Sequence, residues 1–176
     1  MIMNTRLTLR LRSNPDRPGR WLAGIALACL AGVGVALVSQ HVFDMQPCPW
    51  CVFQRLVYLA VALACGAGLV WRSATGRRVA GGVGALLALV GVAAAWWQHY
   101  HAAASASCNL TLADKIVSSW LQLDSLVPDV FAARASCADA AVSLFGIPYD
   151  FWSLALFAGC AVVLARVALR GADRGY

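Results

Sequence analysis

The sequence predicts an all-α membrane protein, a bundle of four transmembrane helices with one long external loop that contains a short amphipathic helix. Three observations predict it. Of the 176 residues, 61% are hydrophobic and only 12% are charged, against about 25% charged in an ordinary soluble domain. Four apolar stretches approach or exceed the roughly 20 residues that a helix needs to cross a hydrocarbon core about 30 Å thick. The remaining charges are segregated by sign along the chain.

The first span, 21–43, carries no charge between Arg20 and Asp44. The second, 52–71, holds only Arg55, and the third, 79–97, holds none. The fourth, 151–169, holds only Arg166, close enough to its end to snorkel. Spans and connections form a single membrane domain over 21–170, with a basic tail at 1–20 and a short tail at 171–176. The first stretch is longer than a typical signal-peptide core and has no clear small-residue cleavage site, so it reads as a permanent span. Its Gly24, Ala28, Gly32 and Ala36 form a small-residue stripe suited to close helix approach in lipid.

A net charge of +6 raises nucleic acid as a partner, but the distribution of charge argues for a membrane instead. Five arginines precede span one, Arg72, Arg77 and Arg78 fill the turn between spans two and three, and Arg166, Arg170 and Arg174 close span four. The other side of the membrane holds Lys115 and Arg134 with six aspartates. By the positive-inside rule both termini are cytoplasmic, and the loops over about 40–50 and 98–150 face outward.

Within the longer loop, TLADKIVSSWLQL places Leu112, Ile116, Trp120 and Leu123 at helical spacing, with Asp114, Lys115, Ser118 and Gln122 elsewhere on the wheel. Thr111 and Asp114 make a weak capping box. Such a helix either lies in the membrane interface or packs on the bundle, and Pro128 ends or kinks the pattern.

Seven cysteines fall into two groups. Cys29, Cys65 and Cys160 sit deep in apolar spans, where cysteine is a small hydrophobe. Cys48, Cys51, Cys108 and Cys137 all lie on the outward side, where an even set implies disulfides. Of the three pairings, Cys-x-x-Cys geometry favours Cys48 with Cys51, leaving Cys108 with Cys137. Zinc would require a second close pair or well-spaced histidines; Cys108 and Cys137 supply no such half-site, and His41, His99 and His101, which could contribute, read as polar surface residues near the membrane interface. A haem span would need paired histidines inside helices. A two-residue Cys-x-x-Cys ring constrains the unfolded chain very little, so a redox role is favoured over bracing. Cys51 opens the second span, where the helix N-terminus favours a thiolate.

Arg55 stands one turn from Cys51 on the same helical face. An arginine at mid-membrane costs about 2.5–3.5 kcal/mol, and less near an interface. It either snorkels to headgroups or stabilises an anion beside Cys51, since guanidinium keeps its proton throughout. An acceptor of two electrons that has polar oxygens and resides at membrane depth is a quinone.

PCPWCVFQR at 47–55, LQLDSLVPDVFAARASCADA at 121–140 and the Phe145-Gly146-Ile147 turn before Trp152-Ser153-Leu154 resemble the disulfide bond formation protein B family, DsbB, of bacterial inner membranes. The resemblance runs from about Trp21 to Leu169. It implies a thiol:quinone oxidoreductase with its redox cysteines periplasmic. A Cys108–Cys137 disulfide would oxidise a thioredoxin-like periplasmic partner of the DsbA type, with Cys108 forming the mixed disulfide. Cys48 and Cys51 would reoxidise that pair and pass the electrons to ubiquinone or menaquinone, with Cys51 adjacent to the ring and Arg55 helping to hold it. His99 matches a polar position near the family's quinone site. DsbA is itself a strong oxidant, with an established potential near about −120 mV, so a downstream quinone must draw its electrons away. Two rivals stand beside this reading. A vitamin K epoxide reductase-like protein carries its cysteine pairs in the reverse order, and a non-enzymatic scaffold would use both disulfides only as braces.

Overall fold

The computed structural model describes residues 17–102 and 112–170. Helix α1 spans Arg17–Val42, α2 Pro49–Val70 and α3 Ala74–Trp97, the last prolonged by a π-turn at Gln98–Ala102. A loop of short pieces follows, and α7, Tyr149–Arg170, completes the bundle. These four helices are the ones long and apolar enough to cross a membrane among the described residues. Their outward faces are apolar, with Leu27, Leu63, Leu86 and Val162 all exposed. Trp21 and Trp71 are exposed at one end of the bundle, and Trp96, Trp97 and Trp152 at the other. Such pairs of tryptophan levels mark the two membrane–water interfaces.

Local chemistry sets the helix starts. Ser73 caps α3, its Oγ accepting from Gly76 N at 3.0 Å. Pro49 opens α2 in the first turn, where its missing N–H costs nothing. Cys48 is the cap of α2, and its sulfur accepts from Cys51 N at 3.3 Å. The cap residue of this membrane helix is thus one of the candidate redox cysteines.

The tightest seam lies between α3 and α7. A methyl on Gly81 would stand 3.0 Å from Ala168 N and Leu164 O, and one on Gly91 would meet the Phe157 ring at 2.4 Å. Phe157 is fully buried and stacks on Tyr58 with centroids 4.0 Å apart. The small residues of α1 act differently. Gly24 meets nothing within 4 Å, whereas Ala28, Gly32 and Ala36 border a cavity between α1 and α7. Gly32 admits Leu156 of α7, which a methyl there would meet at 3.1 Å, and the small residues on either side of it leave space.

A short helix does form in the long loop, but in pieces. Helix α4, Leu112–Asp114, relaxes into a π-helix over Lys115–Trp120 and stops at Gln122, which has φ of 51°. The turns α5, Leu123–Leu126, and α6, Pro128–Phe131, follow. The π winding shifts the buried face to Ala113 and Val117, and leaves Leu112 and Trp120 exposed. Val117 packs with Phe131 onto Val52 of α2. Pro128 begins a helical turn here, where its fixed φ suits the first position. The expected capping residue Thr111 lies outside the described residues.

Candidate functional site: three sulfurs and a buried guanidinium

The cysteine-bearing end of the bundle is built around Pro47. Its carbonyl accepts Arg134 N at 2.9 Å and Ala135 N at 3.2 Å, which ties the long loop to the turn before α2. The next residues form a tight turn, where Ser136 Oγ accepts from Asp139 N at 3.1 Å and donates to Asp139 Oδ2 at 2.6 Å. That turn presents Cys137 to Cys48. An antiparallel pair, β1 at Ser143–Leu144 and β2 at Ile147–Pro148, then returns the chain to α7.

Three sulfurs lie in sequence. The sulfurs of Cys48 and Cys51 are 2.7 Å apart, and Cys48 also hydrogen-bonds Cys137. Cys48 is fully buried. Its bonds to Cys137 and then to Cys51, together with burial, push its thiol well above the ordinary value. Cys137 is held below that value, chiefly by the Cys48 thiol donating to it and also by the Trp50 backbone N–H, with burial opposing. Of the two hydrogen-bonded thiols, Cys137 is therefore the readier to ionise and Cys48 the more reluctant. Cys108 lies outside the described residues, so its expected pairing with Cys137 is not part of this geometry.

Cys51 faces a cavity of about 1010 Å³ between α1, α2 and α7. The α1 lining runs from Ala28 to Ser39, roughly 16 Å of helix. Its deep portion is apolar, with Gly32 and Leu156, and its upper portion holds Arg55, Gln54, Tyr149 and Asp150 beside Cys51.

Arg55 does not snorkel. It is 4% exposed, and its Nη1 donates to Gln40 Oε1 at 2.7 Å and to Val130 O at 2.9 Å, while Nη2 reaches Ala36 O at 3.3 Å. All three partners are neutral, and no carboxylate pairs with it among the described residues. Its buried Nε has no hydrogen-bond partner there. A buried cation fixed by neutral dipoles is poised to stabilise negative charge next to it.

His99 does not line this cavity. Its Nδ1 lies 3.5 Å from Asp150 Oδ2, and it is Asp150 that reaches the cavity wall. Between them and the sulfur stands Gln98, whose Nε2 donates to Asp150 Oδ1 at 2.5 Å and to Cys51 Sγ at 3.4 Å. Gln54 Nε2 donates in turn to Gln98 Oε1 at 2.7 Å. Sequence reasoning did not single out Gln54, Gln98 or Asp150. The available signal was proximity: each adjoins an identified residue or a span end, and polar groups at membrane depth are functional candidates by default.

A family model for disulfide bond formation protein DsbB matches residues 18–167. The chain belongs to the DsbB family. It is 34% identical over 149 residues to disulfide bond formation protein B 2 of Pseudomonas aeruginosa, covering 80% of this chain and 85% of that protein. It is 31% identical over 150 residues to disulfide bond formation protein B of Herminiimonas arsenicoxydans, with 85% and 94% covered. With disulfide bond formation protein B 1 of Pseudomonas savastanoi pv. phaseolicola it shares 32% over 172 residues, 96% and 98% of the two chains. This DsbB family member is accordingly a multi-pass membrane protein of disulfide bond formation.

Proposed function

We propose that the protein is a thiol:quinone oxidoreductase of the bacterial inner membrane. It reoxidises a periplasmic, DsbA-type dithiol protein and passes the electrons through its own cysteines to ubiquinone or menaquinone. The segregation of arginines supports cytoplasmic termini and a periplasmic sulfur cluster.

The observation that carries the reading is the sulfur row. Cys48 touches Cys137 on one side and Cys51 on the other, and Cys51 alone of the three borders the cavity that holds Arg55. Exchange proceeds by attack of a thiolate on a disulfide sulfur. The loop pair, Cys137 with Cys108, exchanges with the partner, and a Cys137 thiolate attacks Cys48 of an oxidised Cys48–Cys51 pair. Cys51 leaves as the thiolate on the cavity side. Cys108 then attacks Cys137 of the Cys48–Cys137 mixed disulfide, which re-forms the loop pair and releases Cys48, so that both electrons of the partner dithiol rest on Cys48 and Cys51.

A quinone supplies an acceptor of two electrons and two protons at this depth. The residues present suit such a group: the apolar cleft between α1 and α7 fits an isoprenoid tail, and the unpartnered Nε of Arg55 offers a donor to a ring oxygen. Arg55 would hold the head group and stabilise negative charge, while Cys51 supplies the electrons.

The test is turnover in detergent. With a reduced DsbA-type partner the purified protein should bleach ubiquinone absorbance, and serine variants of Cys48, Cys51, Cys108 and Cys137 should each stop it. Native turnover in Cys51→Ser would show the cysteines to be structural braces only.

A further inference from the structure

Sulfur exchange and anion stabilisation leave one buried acid of the site without a task. Asp150 is 7% exposed and lines the cavity with Cys51. Its two oxygens have different partners: Oδ1 accepts from Gln98, and Oδ2 lies toward His99. Gln98 spends both amide protons, one on Asp150 and one on Cys51, and its own oxygen is filled by Gln54. Its orientation is therefore fixed. Gln98 and His99 are consecutive residues at the start of the π-turn that prolongs α3. Such turns are frequent at functional sites, and here neighbouring residues meet both oxygens of one carboxyl. His99 has 29% of its side chain exposed, so the line from Asp150 ends at solvent.

We propose that Asp150 is the proton donor for reduction of the acceptor bound beside Cys51, with His99 resupplying Oδ2. Gln98 is the positioning residue that holds carboxyl and sulfur together. The inference rests on the quinone reading above and assigns its proton path. When the Cys48–Cys51 bond re-forms, two electrons leave the sulfurs and two protons must accompany them. Cys48 gives up its thiol proton. Cys51, already a thiolate, has none, so the second comes from Asp150, which regains it from His99. The second proton of the partner dithiol, which went to solvent because Cys51 left as a thiolate, is thereby returned, and the sum over a cycle equals the two protons of that dithiol.

The charged and titratable groups that face Asp150 define any pH response. Cys51 does so from α2, Cys137 from the long loop and His99 from the end of α3, while Arg55 and Tyr149 share the cavity wall. Asp44, Arg134 and Asp139 stand at the cavity wall in the connecting segments. Helix α1 contributes neutral Ser39, which bonds Tyr149.

Asp150→Asn in the full-length protein is the test, because asparagine keeps an oxygen for Gln98 while losing the acidic proton. With a reduced DsbA-type partner and ubiquinone, kcat should fall about a hundredfold, the lower range for loss of a general acid, with KM for the partner unchanged. Asp150→Glu should recover part of the rate. His99→Gln should keep its rate at low pH and lose it faster than the wild type as pH rises. A second readout needs no quinone: in infrared difference spectra of dithiothreitol-reduced minus oxidised protein, a carboxyl C=O band should appear in the wild type and vanish in Asp150→Asn. Native kcat at every pH with an unchanged infrared band would overturn the assignment of Asp150. Should Asp150→Asn fail to assemble, a His99→Gln pH profile identical to the wild type overturns the path instead. A wild type that never reduces ubiquinone fells the quinone reading, and this inference with it.

Discussion

The thiol of Cys48 donates to the sulfur of Cys137, joining the turn before α2 to the far end of the long loop. One contact thereby decides which sulfur of the Cys-x-x-Cys pair meets the loop, while the other faces the cavity between the helices. It also makes the two hydrogen-bonded thiols unequal in how readily they ionise.

The first prediction follows from that inequality. In the fully reduced protein the Cys137 thiolate should persist below the ordinary thiol value of 9.0, and the Cys48 thiol should ionise well above it. Alkylation follows the thiolate, so the pH profile of iodoacetamide labelling at Cys137, read by mass spectrometry, should have its midpoint below 9.0. Cys48→Ala removes the donor and should move that midpoint upward. An unmoved midpoint would mean that Cys48 does not hold Cys137.

Arg55 joins α2 to α1 and to the long loop through neutral acceptors. Hydrogen bonds to a charged group contribute about 1.5–3 kcal/mol each. Arg55→Met should lower thermal stability in detergent and raise KM for ubiquinone at least about tenfold, the equivalent of 1.4 kcal/mol. Arg55→Lys keeps the charge without the planar fork and should fall between. Equal KM values in all three proteins would remove Arg55 from the site.

The cleft between α1 and α7 can be filled without touching sulfur. A side chain on Gly32 would grow toward Leu156 and Tyr58. Gly32→Phe should abolish steady-state ubiquinone reduction while one equivalent of reduced partner is still oxidised by the intact disulfides in a single turnover. Loss of both activities would indicate a collapsed bundle, and loss of neither would place the acceptor elsewhere.

Gly91 lies under the ring of Phe157 with no room for a methyl. Gly91→Ala should destabilise the bundle by about 1–3 kcal/mol, the usual effect of overpacking. Phe157→Leu in the same chain should return part of that loss, a coupling measurable by a double-mutant cycle in detergent.

The spans were legible because each helix must satisfy its own backbone in lipid, which writes about twenty apolar residues into the sequence. The Cys51 and Arg55 register was legible for a similar reason, since four residues make one turn on any helix. The small-residue stripe of α1 was legible as a pattern but not as a cavity wall. Whether small residues admit a neighbouring helix or leave a void depends on the helix opposite, and here the tight seam belongs to Gly81 and Gly91 of α3. The amphipathic pattern at 112–123 foretold a helix but not its π winding, which moved burial onto Ala113 and Val117.

By itself, the sequence determined the membrane class, the four spans and a Cys-x-x-Cys pair with an arginine one turn further on, because all of these rest on composition and on spacing within one helix. Tertiary structure alone decided that Cys137 meets Cys48, that Arg55 turns inward to Gln40, and that Gln98 bridges Asp150 to Cys51. Those contacts join segments far apart in the chain. No local periodicity encodes them, and they form only where burial obliges each polar group to find a partner.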